Sequence, residues 1–113
     1  MSRVYKILSH AEWAQAQAAG RFAGSAVDLA DGYIHLSTAE QVAETARRHF
    51  AGREDLMLLA VDAEALTDPL RWEPSRSGAL FPHLYGELSL TAVAEARSMP
   101  LRLDGGHELG SLA

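Results

Sequence analysis

Apolar residues recur along the chain in patterns that predict strands and helices in alternation. Short apolar and aromatic runs predict strands, and these runs are VYKIL (4–8), YIHL (33–36), DLMLLAVD (55–62), RWE (71–73), HLY (83–85) and VAEARSM (93–99). Helices are predicted over about 10–19 and 39–50, with one short helical turn at 63–66. The order β-α-β-α-β, followed by several short strands, is typical of an α+β fold.

Capping residues predict where the two main helices begin. Ser9 and Glu12 form the Ser-x-x-Glu pattern of a capping box, and Gly20 ends the first helix. The second helix has two candidate boxes, which are Ser37 with Glu40 and Thr38 with Gln41. Its apolar face is predicted to contain Val42, Ala46 and Phe50.

The remaining segments predict a loop and a core. Residues 20–31 hold scattered Gly, Ser and Asp and predict a loop, from which Phe22 and Leu29 reach the core. The run at 55–62 is bounded by acids and predicts a buried central strand. Trp72 is also predicted to lie in the core, because a large aromatic ring fills a core more often than it binds a base.

Composition narrows the class of protein. The chain has 113 residues, 48% of them hydrophobic, which predicts a single globular domain over 1–113. It has no cysteine, so disulfides and thiolate chemistry are excluded. Its net charge of −5 argues against nonspecific binding to nucleic acid. There is no signal-peptide pattern and no apolar run of about 18–20 residues, so we expect a cytoplasmic protein without membrane partners.

The segment DGYIHLST (31–38) is the first candidate for chemistry. On a strand, Tyr33 and His35 share one face. The strand leads into a helix N-terminus, where free backbone N–H groups favour anions, and Ser37 and Thr38 would add hydroxyl donors. The alternative is that His35 is a structural histidine and Ser37 only a cap.

The segment RWEPSRSGALFPHLYG (71–86) is the second candidate. Arg71 and Arg76 stand in a Gly/Pro/Ser-rich stretch and are candidate phosphate ligands, because guanidinium groups bind phosphate through paired hydrogen bonds. The alternative is a surface ion pair of either arginine with Glu73. His83 and Tyr85 are two residues apart, as Tyr33 and His35 are, so two strands would each present a Tyr and a His.

Two kinds of site fit these residues. A nucleotide or phosphate site would use the arginines for charge, the histidines for hydrogen bonds and the tyrosines for stacking. A metal site would use His35, His83 and Glu73 or Glu87, but local ligand spacing of the HxH or HExxH kind is absent, and arginines beside a cation are unfavourable. We therefore expect no metal. His10, His49 and His107 lack such context and are predicted to be solvated.

The segments DGYIHLSTAEQVAETARRHFAG, DLMLLAVD, LRWEPSR and LFPHLYGEL resemble the domain-of-unknown-function 952 (DUF952) family of small bacterial proteins. The resemblance covers nearly the whole chain, from about Tyr5 to Ala96. It implies an ADP-ribosyltransferase-like α+β fold, with small antiparallel sheets and two main helices packed around a central cleft that binds NAD.

The resemblance also implies roles for individual residues. His35, followed by Ser37, would hold the ribose and amide of NAD, and Tyr33 or Tyr85 would stack on nicotinamide. Glu87 would orient the acceptor, although this match rests on position alone. Relatives that transfer an RNA 2′-phosphate to NAD use a site rich in His and Arg, which His83, Arg71 and Arg76 resemble more closely.

The leading hypothesis from the sequence is an enzyme that binds NAD or a related phosphorylated nucleotide and transfers ADP-ribose or acts on a phosphate group. Its catalytic residues would be His35, His83, Arg76 and Glu87. Its ligand-binding residues would be Tyr33, Ser37, Thr38, Arg71, Glu73 and Tyr85. The competing hypotheses are a non-catalytic module that binds a small anionic or nucleotide ligand and, third, a metal-assisted hydrolase.

Overall fold

The computed structural model describes residues 2–75 and 78–112. Its helices are α1 (His10–Ala19), α2 (Ala26–Asp31) and α3 (Ala39–His49). Its strands are β1 (Arg3–Ser9), β2 (Arg21–Phe22), β3 (Ile34–His35), β4 (Leu56–Asp62), β5 (Leu70–Pro74), β6 (Leu80–Leu84), β7 (Leu88–Ser89) and β8 (Val93–Ser98). The α+β prediction is confirmed. Among the described residues, no helix is long and apolar enough to cross a membrane.

The largest element of the fold is an antiparallel sheet in the order β1-β4-β8. Its central strand β4 is buried from Leu56 to Val61, as the apolar run in the sequence predicts. Successive side chains of a strand point to opposite faces, so both faces of this sheet are covered. Met57, Leu59 and Val61 belong to one core cluster. Leu56, Leu58 and Ala60 belong to a second cluster, which includes Val42 and Ala46 of α3.

A second antiparallel sheet, in the order β3-β6-β5, positions the residues of interest. Ile34 pairs with Leu84, and both are buried in the first core cluster. The next pair in register, His35 with His83, therefore points to the opposite face of the sheet. Arg71 on β5 pairs with His83 from the other side. Strands β2 and β7 form a small two-stranded sheet.

Helix α1 begins at the predicted capping box of Ser9 and Glu12 and ends at Gly20, whose φ of 83° requires the left-handed conformation that glycine adopts readily. Helix α3 begins at Thr38, whose hydroxyl accepts from the Gln41 backbone N–H. The alternative box of Ser37 and Glu40 is wrong. The backbone of Ser37 is held by two hydrogen bonds to Tyr5, so the first cap position falls one residue later.

Several predictions about the packing need correction. Residues 20–31 are not one loop, because they contain β2 and α2. Phe22 is buried as predicted, but Leu29 is 65% exposed because α2 turns Asp28 inward instead. Trp72 is 46% exposed, since it lies on the edge strand β5. His107 is buried rather than solvated, and its Nε2 donates to the Arg53 carbonyl oxygen at 2.7 Å.

Candidate functional site

Four rings from β3, β6 and the adjoining residues form one aromatic cluster. Tyr33 stacks on His83 with ring centroids 4.1 Å apart, and it contacts His35 at 4.7 Å and Tyr85 at 5.3 Å. The rings of His35 and His83 lie 5.7 Å apart, edge to face. The equal i, i+2 spacing of Tyr and His in the two segments places all four rings on one face of the sheet.

His35 is held by a carboxylate at each ring nitrogen. Its Nδ1 lies 2.6 Å from Oδ1 of Asp28, and its Nε2 lies 2.9 Å from Oδ2 of Asp31. An ionised carboxylate only accepts hydrogen bonds, so both ring nitrogens donate, which describes the protonated imidazolium. The His35 ring is thus held at both nitrogens, and its side chain is 34% exposed.

Asp28 is the buried anchor of this arrangement, at 2% exposure. Besides His35 Nδ1, it accepts from the Lys6 ammonium at 2.8 Å, the Ser25 backbone N–H at 2.9 Å and the His35 backbone N–H at 3.1 Å. Burial alone would raise its pKa, but the hydrogen bond from His35 and the charge of Lys6 outweigh it and lower the pKa to about 2. Burial also lowers the pKa of the Lys6 ammonium, which Asp28 partly offsets.

His83 has a different environment, because one carboxylate holds it on one side only. Its Nδ1 lies 2.7 Å from Oε1 of Glu73, and the Tyr85 hydroxyl donates to the same oxygen at 2.7 Å. These two donors lower the pKa of Glu73, and Glu73 raises the pKa of Tyr85. The Arg71 guanidinium lies over the Tyr85 ring, 5.3 Å from its centroid. Glu73 binds Nδ1 and does not contact the other ring nitrogen of His83, Nε2. The His83 side chain is only 5% exposed.

A cavity of about 600 Å³ opens beside these rings. The polar and aromatic residues of its wall are Tyr5, Lys6, Asp31, Tyr33, His35, Ser37, Thr45, His49, Phe50, Arg53, Ser75, Phe81 and His83. This volume lies within the range of about 300–1,000 Å³ that is usual for small-molecule sites.

The structure distributes the other predicted site residues around this cavity. Ser37 lies on its wall, with Oγ 3.0 Å from the Thr45 hydroxyl, whereas Thr38 is the cap of α3. Glu73 and Tyr85 stand behind His83, outside the wall. Glu87 follows Gly86 in the chain and forms an exposed ion pair with Arg21 at 2.9 Å. Arg76 lies outside the described residues.

Among the site residues that the sequence did not predict, five have a charged or imidazole side chain. The His35 ring is bound by Asp28 and Asp31, and Asp28 is bound in turn by Lys6. The other two, His49 and Arg53, lie on the cavity wall. The sequence contains one signal that could have pointed to Lys6, because it is the only lysine in the chain and it interrupts an apolar run. Within residues 2–75 and 78–112, no group of three or more His, Asp or Glu is arranged to hold a metal ion.

The fold and the site together define a small α+β protein whose cleft presents two histidines oriented by carboxylates. The chain belongs to the family described as protein of unknown function (DUF952), whose model matches residues 7–96. It is similar to protein CC0527 from Caulobacter crescentus. A crystal structure of that protein shares 55% identity with a TM-score of 0.92, covering 96% of each chain. Its solution NMR structure shares 55% identity with a TM-score of 0.85, covering 97% of this chain and 95% of that one. A comparison with functionally curated proteins gives no match.

Proposed function

We propose that this protein binds a small phosphorylated nucleotide in the cavity beside His35 and His83, with NAD as the first candidate. The observation that carries the proposal is the aromatic cluster of Tyr33, His35 and His83 on the wall of a cavity of about 600 Å³. Flat rings stack on a base or a nicotinamide, and neighbouring cations bind phosphate.

Charge on the cavity wall supports a phosphorylated ligand. His35 has a carboxylate at each ring nitrogen, the arrangement that suits an imidazolium, and Arg53 lies on the same wall with its side chain 47% exposed. The ion pair of Arg53 with Asp55 is long, at 3.6 Å, and both partners are exposed. A pair of this kind contributes little, about 0–1 kcal/mol, so a phosphate would compete for the guanidinium at low cost.

In this proposal the fold is ADP-ribosyltransferase-like, and the reaction to test first is transfer of ADP-ribose with release of nicotinamide. Tyr33 is the aromatic residue that would stack on the nicotinamide, because Tyr85 does not reach the cavity wall. Glu87 is not on the cavity wall, and it forms an exposed ion pair with Arg21. Glu73 contacts Nδ1 of His83, so in this proposal it acts through His83 as a positioning residue.

A second candidate function is chemistry at a phosphate group, and one observation favours it. Glu73 accepts from Nδ1 of His83, an arrangement that orients the ring and, in a neutral imidazole, puts the proton on Nδ1 and the lone pair on Nε2. Such a histidine can take a proton from an attacking hydroxyl group as a general base. His83 would then be the catalytic residue, and His35 would bind the phosphate as a cation.

The test is an amide-shift titration of isotope-labelled protein with NAD, ADP-ribose and a 2′-phosphorylated nucleotide, together with an assay for nicotinamide release. We expect shifts centred on residues 33–37 and 83–85, and a loss of affinity of at least tenfold in His83→Ala. His10→Ala is the matched control, because His10 is an exposed histidine whose ring lies near Ser98. Binding without nicotinamide release or phosphate-ester cleavage would favour a non-catalytic module. No shift with any of the three ligands would refute the nucleotide proposal.

A further inference from the structure

The hydrogen bonds of His35 raise a question about how any ligand reaches this residue. Both ring nitrogens already donate to carboxylates, so the ring has no N–H left for a ligand. We propose that the position of the Asp31 carboxylate beside Nε2 of His35 is an anion subsite, where a phosphate oxygen of the ligand replaces Asp31. This inference rests on the proposed function, because it assigns one group of that ligand to one donor of the cavity wall.

Asp31, rather than Asp28, is the carboxylate that can be exchanged. Asp28 has a side chain only 1% exposed, and four donors hold it. The Asp31 side chain is 46% exposed, and within the described part of the chain its carboxylate hydrogen-bonds only to His35. An exposed ion pair of this type is weak, so turning Asp31 into solvent costs little.

The location of Asp31 supports the same conclusion. It lies on the cavity wall next to Tyr33 and His35. It is also the last residue of α2, where a negative charge opposes the unpaired carbonyl groups of the helix end. The helix gains nothing from an acid there. The favourable interaction of this carboxylate is the one with the imidazolium of His35.

The ligand group that fits the subsite is an anion. Nε2–H of His35 is a charged donor, and a phosphate oxygen forms a shorter and stronger hydrogen bond with it than a neutral oxygen does. A sugar hydroxyl would behave differently, because it could donate to Asp31 and leave the Asp31–His35 pair intact. The two possibilities predict opposite effects of removing the Asp31 charge.

The experiment compares wild-type protein with Asp31→Asn by amide-shift titration at constant ionic strength. The probes are ADP-ribose, inorganic phosphate and adenosine, which has the sugar and base but no phosphate. We expect Asp31→Asn to bind ADP-ribose and phosphate about twofold to fivefold more tightly, because an exposed ion pair worth up to about 1 kcal/mol no longer competes with the ligand. Adenosine affinity should not rise. Long-range imidazole ¹⁵N spectra should show phosphate shifting Nε2 of His35.

The control is Glu95→Gln, which makes the same change in net charge on β8, away from the cavity wall. An equal gain in this variant would mean that overall charge is responsible, and it would overturn the subsite. If Asp31→Asn binds ADP-ribose equally or more weakly, the subsite is refuted while nucleotide binding stands. If neither protein binds a nucleotide but Asp31→Asn binds phosphate at His35, the subsite stands and the nucleotide proposal fails. If neither binds any probe, both are refuted.

Discussion

The buried pair of Lys6 and Asp28 gives the sharpest test of how the site is held together. Replacing Asp28 by Asn keeps the shape of the side chain but removes its charge. The carboxylate accepts from donors on both oxygens, namely Lys6 and Ser25 on Oδ2 and His35 on Oδ1. The Asn side chain has one oxygen and one NH₂ group in place of the two oxygens. Its NH₂ group would point at the N–H donors that one carboxylate oxygen now accepts from, and no hydrogen bond could form there.

The magnitude follows from burial. The Lys6 side chain is 5% exposed, so Asp28→Asn leaves an ammonium group buried without its counter-charge. Removing one partner of a buried ion pair costs about 3–5 kcal/mol. A domain of this size has a total stability of about 5–15 kcal/mol, so the variant should lose a large fraction of its stability. Lys6→Met should cost less, because Asp28 keeps the donors of His35 and Ser25.

The assay is equilibrium urea unfolding, followed by far-UV circular dichroism, of wild-type protein, both single variants and the double variant. We expect Lys6→Met to recover about 2 kcal/mol in the Asp28→Asn background, because it removes the unpaired charge. Glu44→Gln is the control, since Glu44 is an exposed carboxylate bound by Arg47 and Arg48, and its midpoint should hardly change. If the two single effects add within about 0.5 kcal/mol, the pair is not coupled and this account of the site is wrong.

Two further predictions concern protonation. The pKa of Asp28 is lowered from 3.8 to about 2, so its ionisation contributes about 2 kcal/mol of stability, which is present above about pH 4 and lost as the pH falls through 2. Urea midpoints should therefore fall less steeply between pH 5 and 2 in Asp28→Asn than in wild-type protein, because other carboxylates with lowered pKa values, such as Glu44, remain. Glu73 raises the pKa of Tyr85, so Glu73→Gln should move one phenolate absorbance transition to lower pH, and an unchanged titration would show that this hydrogen bond is absent in solution.

The long elements of the fold could be predicted from the sequence, and the short ones could not. An apolar run such as 55–62 identifies a central strand because both faces of the sheet are covered. Strands β2 and β7 have two residues each, which is too few to show any period. Helix α2 was missed because its inward residue is the polar Asp28, so Leu29 faces solvent instead of marking an apolar face.

The candidate site divides in the same way. The i, i+2 spacing of Tyr33 with His35 and of His83 with Tyr85 predicted which side chains share a face, since alternation along a strand is local. The partners of His35 could not be found in this way. They include Asp28 and Lys6, which come from α2 and β1 and meet only in the tertiary fold. Trp72 was misplaced for a related reason: alternation does not tell an edge strand from a covered one.

The shared carboxylate of Asp28 has a consequence for how variants of this protein will behave in cells. Substitutions at Asp28 or Lys6 should reduce the amount of protein, because chaperones and proteases act on the unfolded fraction and a loss of a few kcal/mol enlarges it. Substitutions at Asp31 should leave abundance unchanged and alter only ligand binding. A mutational scan that scores abundance and binding separately would therefore divide this small cluster into residues required for stability and residues required only for ligand binding.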